Sequence, residues 1–209
     1  GTVKGLNKYK DQESKFSRYL LGKFRNDNPV NPSVWDLCKD KFGQIWIGSE
    51  NGLLLFNPFE RRFVPLSELS RINNNRIRLV MIDSTEDFWI GTDRSGLYRY
   101  HVKSDKLINY QFNKNDVNSI SSNTVYTILE SRNNNFWIGT DSGMNLYNAN
   151  TKKISRLIDY KNHEYVSDIS IYTICEDSKG ILWIGSDQNL ITINPIQKIV
   201  SKWIHSGSK

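Results

Sequence analysis

The sequence predicts an all-β fold assembled from copies of one unit, and three observations carry that prediction. The motif Trp-Ile-Gly-Ser/Thr occurs four times, at Trp46-Ile47-Gly48-Ser49, Trp89-Ile90-Gly91-Thr92, Trp137-Ile138-Gly139-Thr140 and Trp183-Ile184-Gly185-Ser186. Its tryptophans are separated by 43, 48 and 46 residues, a period that marks a repeat architecture. Aromatic residues make up 12% of the 209 and fall in short apolar runs, which favours strands over helices.

Taken in order, Gly1 to Tyr9 matches Gly139 to Tyr147 at both glycines and at Thr2, Asn7 and Tyr9. Residues 1–22 are therefore expected to be the second half of a repeat, with Lys15 to Leu20 alternating as an outer strand. Four complete repeats follow, at 33–64, 77–110, 124–157 and 170–204, each read as a four-stranded antiparallel meander. The first has strands at Ser33 to Lys39, Gln44 to Gly48, Leu53 to Phe56 and Arg62 to Val64, with a glycine turn at Asp40-Lys41-Phe42-Gly43. The second runs Ile77 to Asp83, Phe88 to Thr92, Leu97 to Tyr100 and Lys106 to Tyr110. Its turn, Ser84-Thr85-Glu86-Asp87, lacks glycine, so a different turn type is expected. The third runs Thr124 to Glu130, Asn135 to Thr140, Met144 to Tyr147 and Lys153 to Leu157. Asn133-Asn134 takes its turn, because asparagine tolerates the left-handed region. The fourth runs Ser170 to Glu176, Ile181 to Ser186, Leu190 to Ile193 and Lys198 to Trp203, with a glycine turn restored at Asp177-Ser178-Lys179-Gly180.

First strands such as Val34 to Cys38 and Ile77 to Ile82 show little alternation, the pattern of a strand buried on both faces, whereas fourth strands alternate or carry charge. Four-stranded sheets packed face to face with the first strand innermost make a β-propeller. The expected fold is a partial β-propeller of about four and a half four-stranded antiparallel blades. Common linear solenoids have shorter repeats or helices.

Lys and Arg total 28 against 22 Asp and Glu, a net charge of +6, but no basic run exceeds two residues, so no nucleic acid is expected as partner. Cys38 and Cys175 occupy equivalent positions, eight residues before a repeat tryptophan, and are read as two buried free thiols in separate layers. Metal-ligand spacing is absent and no cofactor is expected. No apolar run is long enough to span a bilayer.

The repeated tryptophans, Trp46, Trp89, Trp137 and Trp183, are expected to fill the wedges between sheets. The glycines after them, Gly48, Gly91, Gly139 and Gly185, let a neighbouring sheet approach, and the following Ser or Thr can bond into the next turn. Glu176-Asp177-Ser178-Lys179-Gly180-Ile181-Leu182-Trp183-Ile184-Gly185-Ser186 and Gly139 to Tyr147 resemble the two-component regulator propeller repeat, and the resemblance covers nearly the whole chain. The second repeat departs from it by losing the turn glycine, and the fourth by carrying Gln188-Asn189 where a loop glycine is usual. The resemblance implies a periplasmic sensor region of a hybrid two-component histidine kinase, responding to an oligosaccharide and signalling across the membrane to control transcription. It also implies a longer parent with further propeller blades, seven by analogy, a possible homodimer, and kinase activity only in that parent.

Eleven residues before each repeat tryptophan stands a large side chain: Trp35, Arg78, Tyr126 and Tyr172. These four are expected around one mouth of the central channel, with the loops after the Trp-Ile-Gly strands: Glu50, Asn51, Asp93, Arg94, Asp141, Ser142, Asp187 and Gln188. Aromatic platforms beside amides, carboxylates and guanidinium groups suit a sugar; packing between blades accounts for the same rings. A glycan-active lyase or hydrolase is the rival class, but His101, His163 and His205 lie at unrelated repeat positions. Glu130 and Glu176 fall at the opposite ends of their strands. A protein-interaction platform without a small ligand is the third reading.

Overall fold

The computed structural model describes residues 1–2, 5–11, 14–19, 32–64, 66, 69, 72, 75–157 and 167–203. The chain divides into two units, Gly1–Ile90 and Gly91–Lys209. Among the described residues there are eighteen strands and no α-helix. The first unit opens with an antiparallel pair, β1 (Leu6–Lys10) and β2 (Lys15–Tyr19). A four-stranded sheet follows, β3 (Val34–Lys39), β4 (Ile45–Ser49), β5 (Gly52–Asn57) and β6 (Arg62–Val64), in chain order. The sheet of β7 (Ile77–Ile82), β8 (Phe88–Thr92), β9 (Leu97–His101) and β10 (Lys106–Tyr110) holds the unit boundary within β8. The second unit adds β11 (Val125–Glu130), β12 (Phe136–Thr140), β13 (Gly143–Asn148) and β14 (Lys153–Arg156). Its last sheet is β15 (Ile171–Glu176), β16 (Leu182–Ser186), β17 (Leu190–Asn194) and β18 (Ile199–Trp203). Each four-stranded sheet is an antiparallel meander, the blade of a β-propeller. Residues 3–4, 12–13, 20–22 and 204 of the expected repeats lie outside the described residues.

The first hairpin has one geometry in all four repeats. The Asp40 N–H donates to the Gln44 carbonyl and the Gly43 N–H to the Asp40 carbonyl; the same pair recurs at Asp83, Ser131 and Asp177. The left-handed position falls on Gly43 (φ 79°), Glu86 (φ 72°), Asn134 (φ 60°) and Gly180 (φ 78°). The different turn expected in the second repeat is thus corrected: Glu86 adopts the backbone of glycine. The reason lies in Asp83, whose carboxylate accepts from the Thr85 and Asp87 N–H groups and from the Trp89 indole (2.9 Å each) and holds the loop in that shape.

Second strands hold the core. In β8 and β12 every residue is buried, and Trp89 and Ile90 have no exposed surface. In the first unit the Trp46 ring meets Phe88 at 4.5 Å, and Leu6, Val34, Ile47, Leu54 and Phe56 form one cluster. In the second unit Trp137 packs with Ile171, Leu182, Ile184 and Ile193. First strands are not buried on both faces as expected: Leu37 is 39% and Tyr172 51% exposed. Each first strand is an edge with one hydrogen-bonded neighbour, while the second strand is paired on both sides and covered on both faces. The cysteines follow. Both are free, but Cys38 is only half-buried and Cys175 is exposed, because both lie on edge strands.

The repeated glycines mark close approach. A Cβ at Gly48 would lie 2.9 Å from the Ile77 carbonyl, and one at Gly139 2.8 Å from the Ile171 carbonyl. At the chain start Thr2 donates to the Gly5 carbonyl as Thr140 does to that of Gly143, with Gly5 and Gly143 at φ 105° and 106°.

Candidate functional site

At the start of three first strands the ladder slips by one residue. Val34 faces Ser49 while Asp36 faces Gly48; Val125 faces Thr140 while Thr127 faces Gly139; Ile171 faces Ser186 while Thr173 faces Gly185. The residue left out of pairing is Trp35, Tyr126 or Tyr172, so three of the four sequence-predicted positions are bulge residues. A bulge bends its strand and re-aims a side chain, and bulges concentrate beside functional sites. The motif glycine is the seat of this bulge. A Cβ at Gly139 would lie 2.7 Å from the Thr127 methyl, and one at Gly185 2.8 Å from that of Thr173, the residues directly across the ladder. Gly91 is buried in the same motif position.

Residues at this position in neighbouring sheets meet within each unit. The Arg78 guanidinium lies over the Trp35 ring, 4.3 Å from its centroid, a cation–π arrangement. The Tyr126 and Tyr172 rings are 5.0 Å apart at 51°.

The loops after the second strands are tied to the starts of the first strands. The N–H groups of Glu50, Asp141 and Asp187 donate to the carbonyls of Ser33 (3.0 Å), Thr124 (3.2 Å) and Ser170 (3.1 Å). Thr124 Oγ1 donates to the Asp93 carbonyl at 2.9 Å, joining one loop to the next first strand. The Ser or Thr closing each motif shapes these loops: Ser49, Thr92, Thr140 and Ser186 donate to the carbonyls of Gly52, Gly96, Gly143 and Asn189 at 2.7–2.9 Å. Asn189 thereby offers its carbonyl where the other repeats have glycine, without the glycine's positive φ. Asn51, Arg94 and Gln188 are exposed and Asp141 half-buried. Among the described residues none of these four bonds through its side chain to the bulge rings.

Charge is distributed unevenly at this end. Arg76 pairs with Glu50 at 3.5 Å, both half-exposed. Asp36, next to the Trp35 bulge, accepts N–H groups of Val80 and Leu37 (2.8 Å each), tying the β3 sheet to β7. Burial pushes its carboxyl above the ordinary range, outweighing those two bonds. In the second unit a cavity of 380 Å³ opens beside the loop, lined by Ser142, Met144, Phe112, Arg156 and Asp168 among others. The Arg156 guanidinium stands 5.1 Å from the Phe112 centroid and gathers the carbonyls of Asn113, Asp116 and Ser119. Nothing in the sequence joins Phe112 to Arg156, because they meet only when the linker folds back on β14.

The opposite end is a scaffold. Asp40, Asp83 and Asp177 stand six residues before a repeat tryptophan and accept its indole N–H at 3.0, 2.9 and 3.0 Å. That spacing was visible in the sequence as a repeated Asp, but only the folded hairpin shows what it bonds. The Trp183 indole, then the Ile181 N–H, hold the Asp177 carboxyl below its usual range. Glu176 accepts the Arg132 N–H at 3.2 Å, joining two sheets of the second unit. His163 and His205 lie outside the described residues, and no cluster of His, Cys, Asp and Glu able to hold a metal is found among those described.

Three stretches, residues 28–51, 119–142 and 165–188, match the two component regulator propeller family. Each covers the bulge strand and the Trp-Ile-Gly strand of one repeat. Among solved structures, the chain resembles the extracellular domain of a putative hybrid two component system from B. thetaiotaomicron. That match has 25% identity and a TM-score of 0.68 over 85% of this chain and 25% of the other. A second such extracellular domain from the same organism matches at 22% identity and TM-score 0.78, over 96% of this chain and 25% of the other. The chain thus spans a quarter of the length of these structures. Virginiamycin B lyase from Staphylococcus aureus shares the fold at 16% identity and TM-score 0.61, over 83% of this chain and 56% of the other. No curated protein matches the chain.

Proposed function

We propose that this chain, which carries two component regulator propeller repeats, is a ligand-sensing extracytoplasmic segment of a hybrid two-component sensor. Its parent holds further propeller blades, sits in the inner membrane with this segment in the periplasm, and passes the signal to a histidine kinase that controls transcription. The family match and the similarity to the extracellular domains of two putative hybrid two component systems support this reading. The ligand is an oligosaccharide held at the bulge ends of the sheets, by Trp35, Arg78 and Asn51 in the first unit and by Tyr126, Tyr172, Arg94, Asp141 and Gln188 in the second.

One observation carries the site: the register slip that frees Trp35, Tyr126 and Tyr172 from the ladder at the same place in three sheets. Aromatic rings at the rim of a pocket stack on the C–H face of a sugar, and the adjoining loops offer hydroxyl partners. The chain itself carries no catalytic group in this reading, Glu176 being engaged at the scaffold end. Exposed Leu190, Ile199 and Trp203 on the last sheet suit a further blade of the parent.

Isothermal titration against a panel of plant and host oligosaccharides tests this. Binding by the chain that weakens at least tenfold in Trp35→Ala and in Tyr126→Ala is the expected result. Binding unchanged in both variants, or no binding across the panel, overturns the site.

A further inference from the structure

Two interfaces of the second unit are built on the same frame and filled with opposite chemistry. Where the β11–β14 sheet meets the β15–β18 sheet, Leu146, Leu157 and Ile193 belong to one apolar cluster. The repeats align Leu146 with Arg99, Leu157 with Tyr110, and Ile193 with Tyr147, as their ladder partners show. Where β9 and β10 meet the β11–β14 sheet, three apolar residues are therefore exchanged for an arginine and two tyrosines. Arg99 Nη1 donates to the Tyr147 hydroxyl at 2.9 Å, and its guanidinium lies 5.6 Å from the Tyr147 centroid and 6.0 Å from that of Phe136. The Tyr110 and Tyr147 rings meet edge-on at 5.8 Å. Tyr147 is 1% exposed, so this polar group sits within the packing. Burial, then Tyr147 and its hydrogen bond, push the Tyr110 hydroxyl well above its usual range.

A cavity of 510 Å³ opens in front of this group, lined by His101, Ser104, Lys106, Ile108, Tyr110, Tyr147 and Lys152. That volume lies in the range of roughly 300 to 1,000 Å³ common for small-molecule sites. Lys106 and Lys152 are exposed, and among the described residues neither ammonium group has a hydrogen-bonding or carboxylate partner. Asp105, on the turn between β9 and β10, is engaged by the Tyr100 hydroxyl at 2.9 Å. Two ammonium groups without a carboxylate partner among the described residues flank a floor of tyrosine rings and Ile108.

We propose that this cavity binds a small organic oxyanion, a carboxylate or a phosphate or sulfate ester carried on a ring. The ring packs on Ile108 and the tyrosines, and the anion meets Lys106 and Lys152. The site is separate from the bulge end and independent of the oligosaccharide reading. Amide chemical shifts of the ¹⁵N-labelled chain, titrated with phenyl phosphate, benzoate, phenol and inorganic phosphate at constant ionic strength, test it. Phenyl phosphate and benzoate are expected to move amides of residues 101–110 and 147–152, with phenol and inorganic phosphate each at least tenfold weaker. The double variant Lys106→Gln, Lys152→Gln should lose at least tenfold in affinity for phenyl phosphate with an unchanged melting temperature, and Lys114→Gln, at an exposed lysine outside the cavity, should bind as the parent does. Phenol binding as tightly as phenyl phosphate overturns the anion assignment. Inorganic phosphate binding as tightly overturns the ring, and full binding by the double variant, or no shift with any probe, overturns the site.

Discussion

At the turn end of their first two strands, the second and fourth repeats put a carboxylate under a tryptophan, Asp83 under Trp89 and Asp177 under Trp183. At the other end of the same strands, the aligned positions hold Arg78 and Tyr172. In three of the four repeats the turn end repeats backbone and side chain together, an Asp accepting the indole N–H, while the third repeats the backbone with Ser131 in that place. The bulge end repeats the backbone slip in three sheets, while the side chain it frees is Trp35, Tyr126 or Tyr172. Uniform chemistry builds the blade; a uniform backbone with varied side chains is what a recognition surface requires.

The contrast breaks most visibly at the core tryptophan. Trp89→Ala should cost about 3–5 kcal/mol in urea unfolding, and the same change at half-buried Trp183 distinctly less. Asp83→Ala leaves the Trp89 indole and two turn N–H groups without their acceptor, an expected loss of about 2–3 kcal/mol by the same measurement. Gly139→Ala strikes the bulge end, where the new methyl meets Thr127 and Ile171 at 2.7 Å. Overpacking of about 1–3 kcal/mol is expected. A cost matching an exposed surface change would show the bulge to be pliable. Glu86→Gly should instead stabilise by about 0.5–1 kcal/mol, because glycine adopts φ 72° without strain and the exposed Lys41–Glu86 pair it removes contributes little.

The smallest effect separates the two ends by sign. Asp177, with its pKa lowered, contributes stability above the ordinary carboxylate pKa that is lost as pH falls through its folded value. Asp36, with its pKa raised, contributes stability at low pH that is lost as pH rises through its folded value. Unfolding free energies should therefore change slope in opposite directions in the two variants, below the ordinary carboxylate pKa for Asp177→Asn and above it for Asp36→Asn. Parallel curves would remove the electrostatic part of the comparison.

Much of the blade was legible because its signals are local. Asn133-Asn134 announced a left-handed turn residue, and Asn134 takes it at φ 60°. Thr2 and Asn7 matched Thr140 and Asn145, and Asn7 Nδ2 does bond Thr2 Oγ1 at 3.2 Å. Glu86 was misread because propensity is a weak guide where a buried carboxylate fixes the loop. Cys38 and Cys175 were misread because an apolar run does not say whether its strand lies at an edge.

By itself the sequence determined the repeat, the all-β class, the strand order within each blade and the positions eleven residues before each tryptophan, since all follow from spacing along one chain. Only the tertiary structure decided that Trp35, Tyr126 and Tyr172 leave the ladder, that Arg78 stacks on Trp35, and that Arg99, Tyr110 and Tyr147 replace an apolar interface. Register slips and contacts between sheets depend on groups distant in sequence coming within a few ångströms. No local pattern encodes that distance.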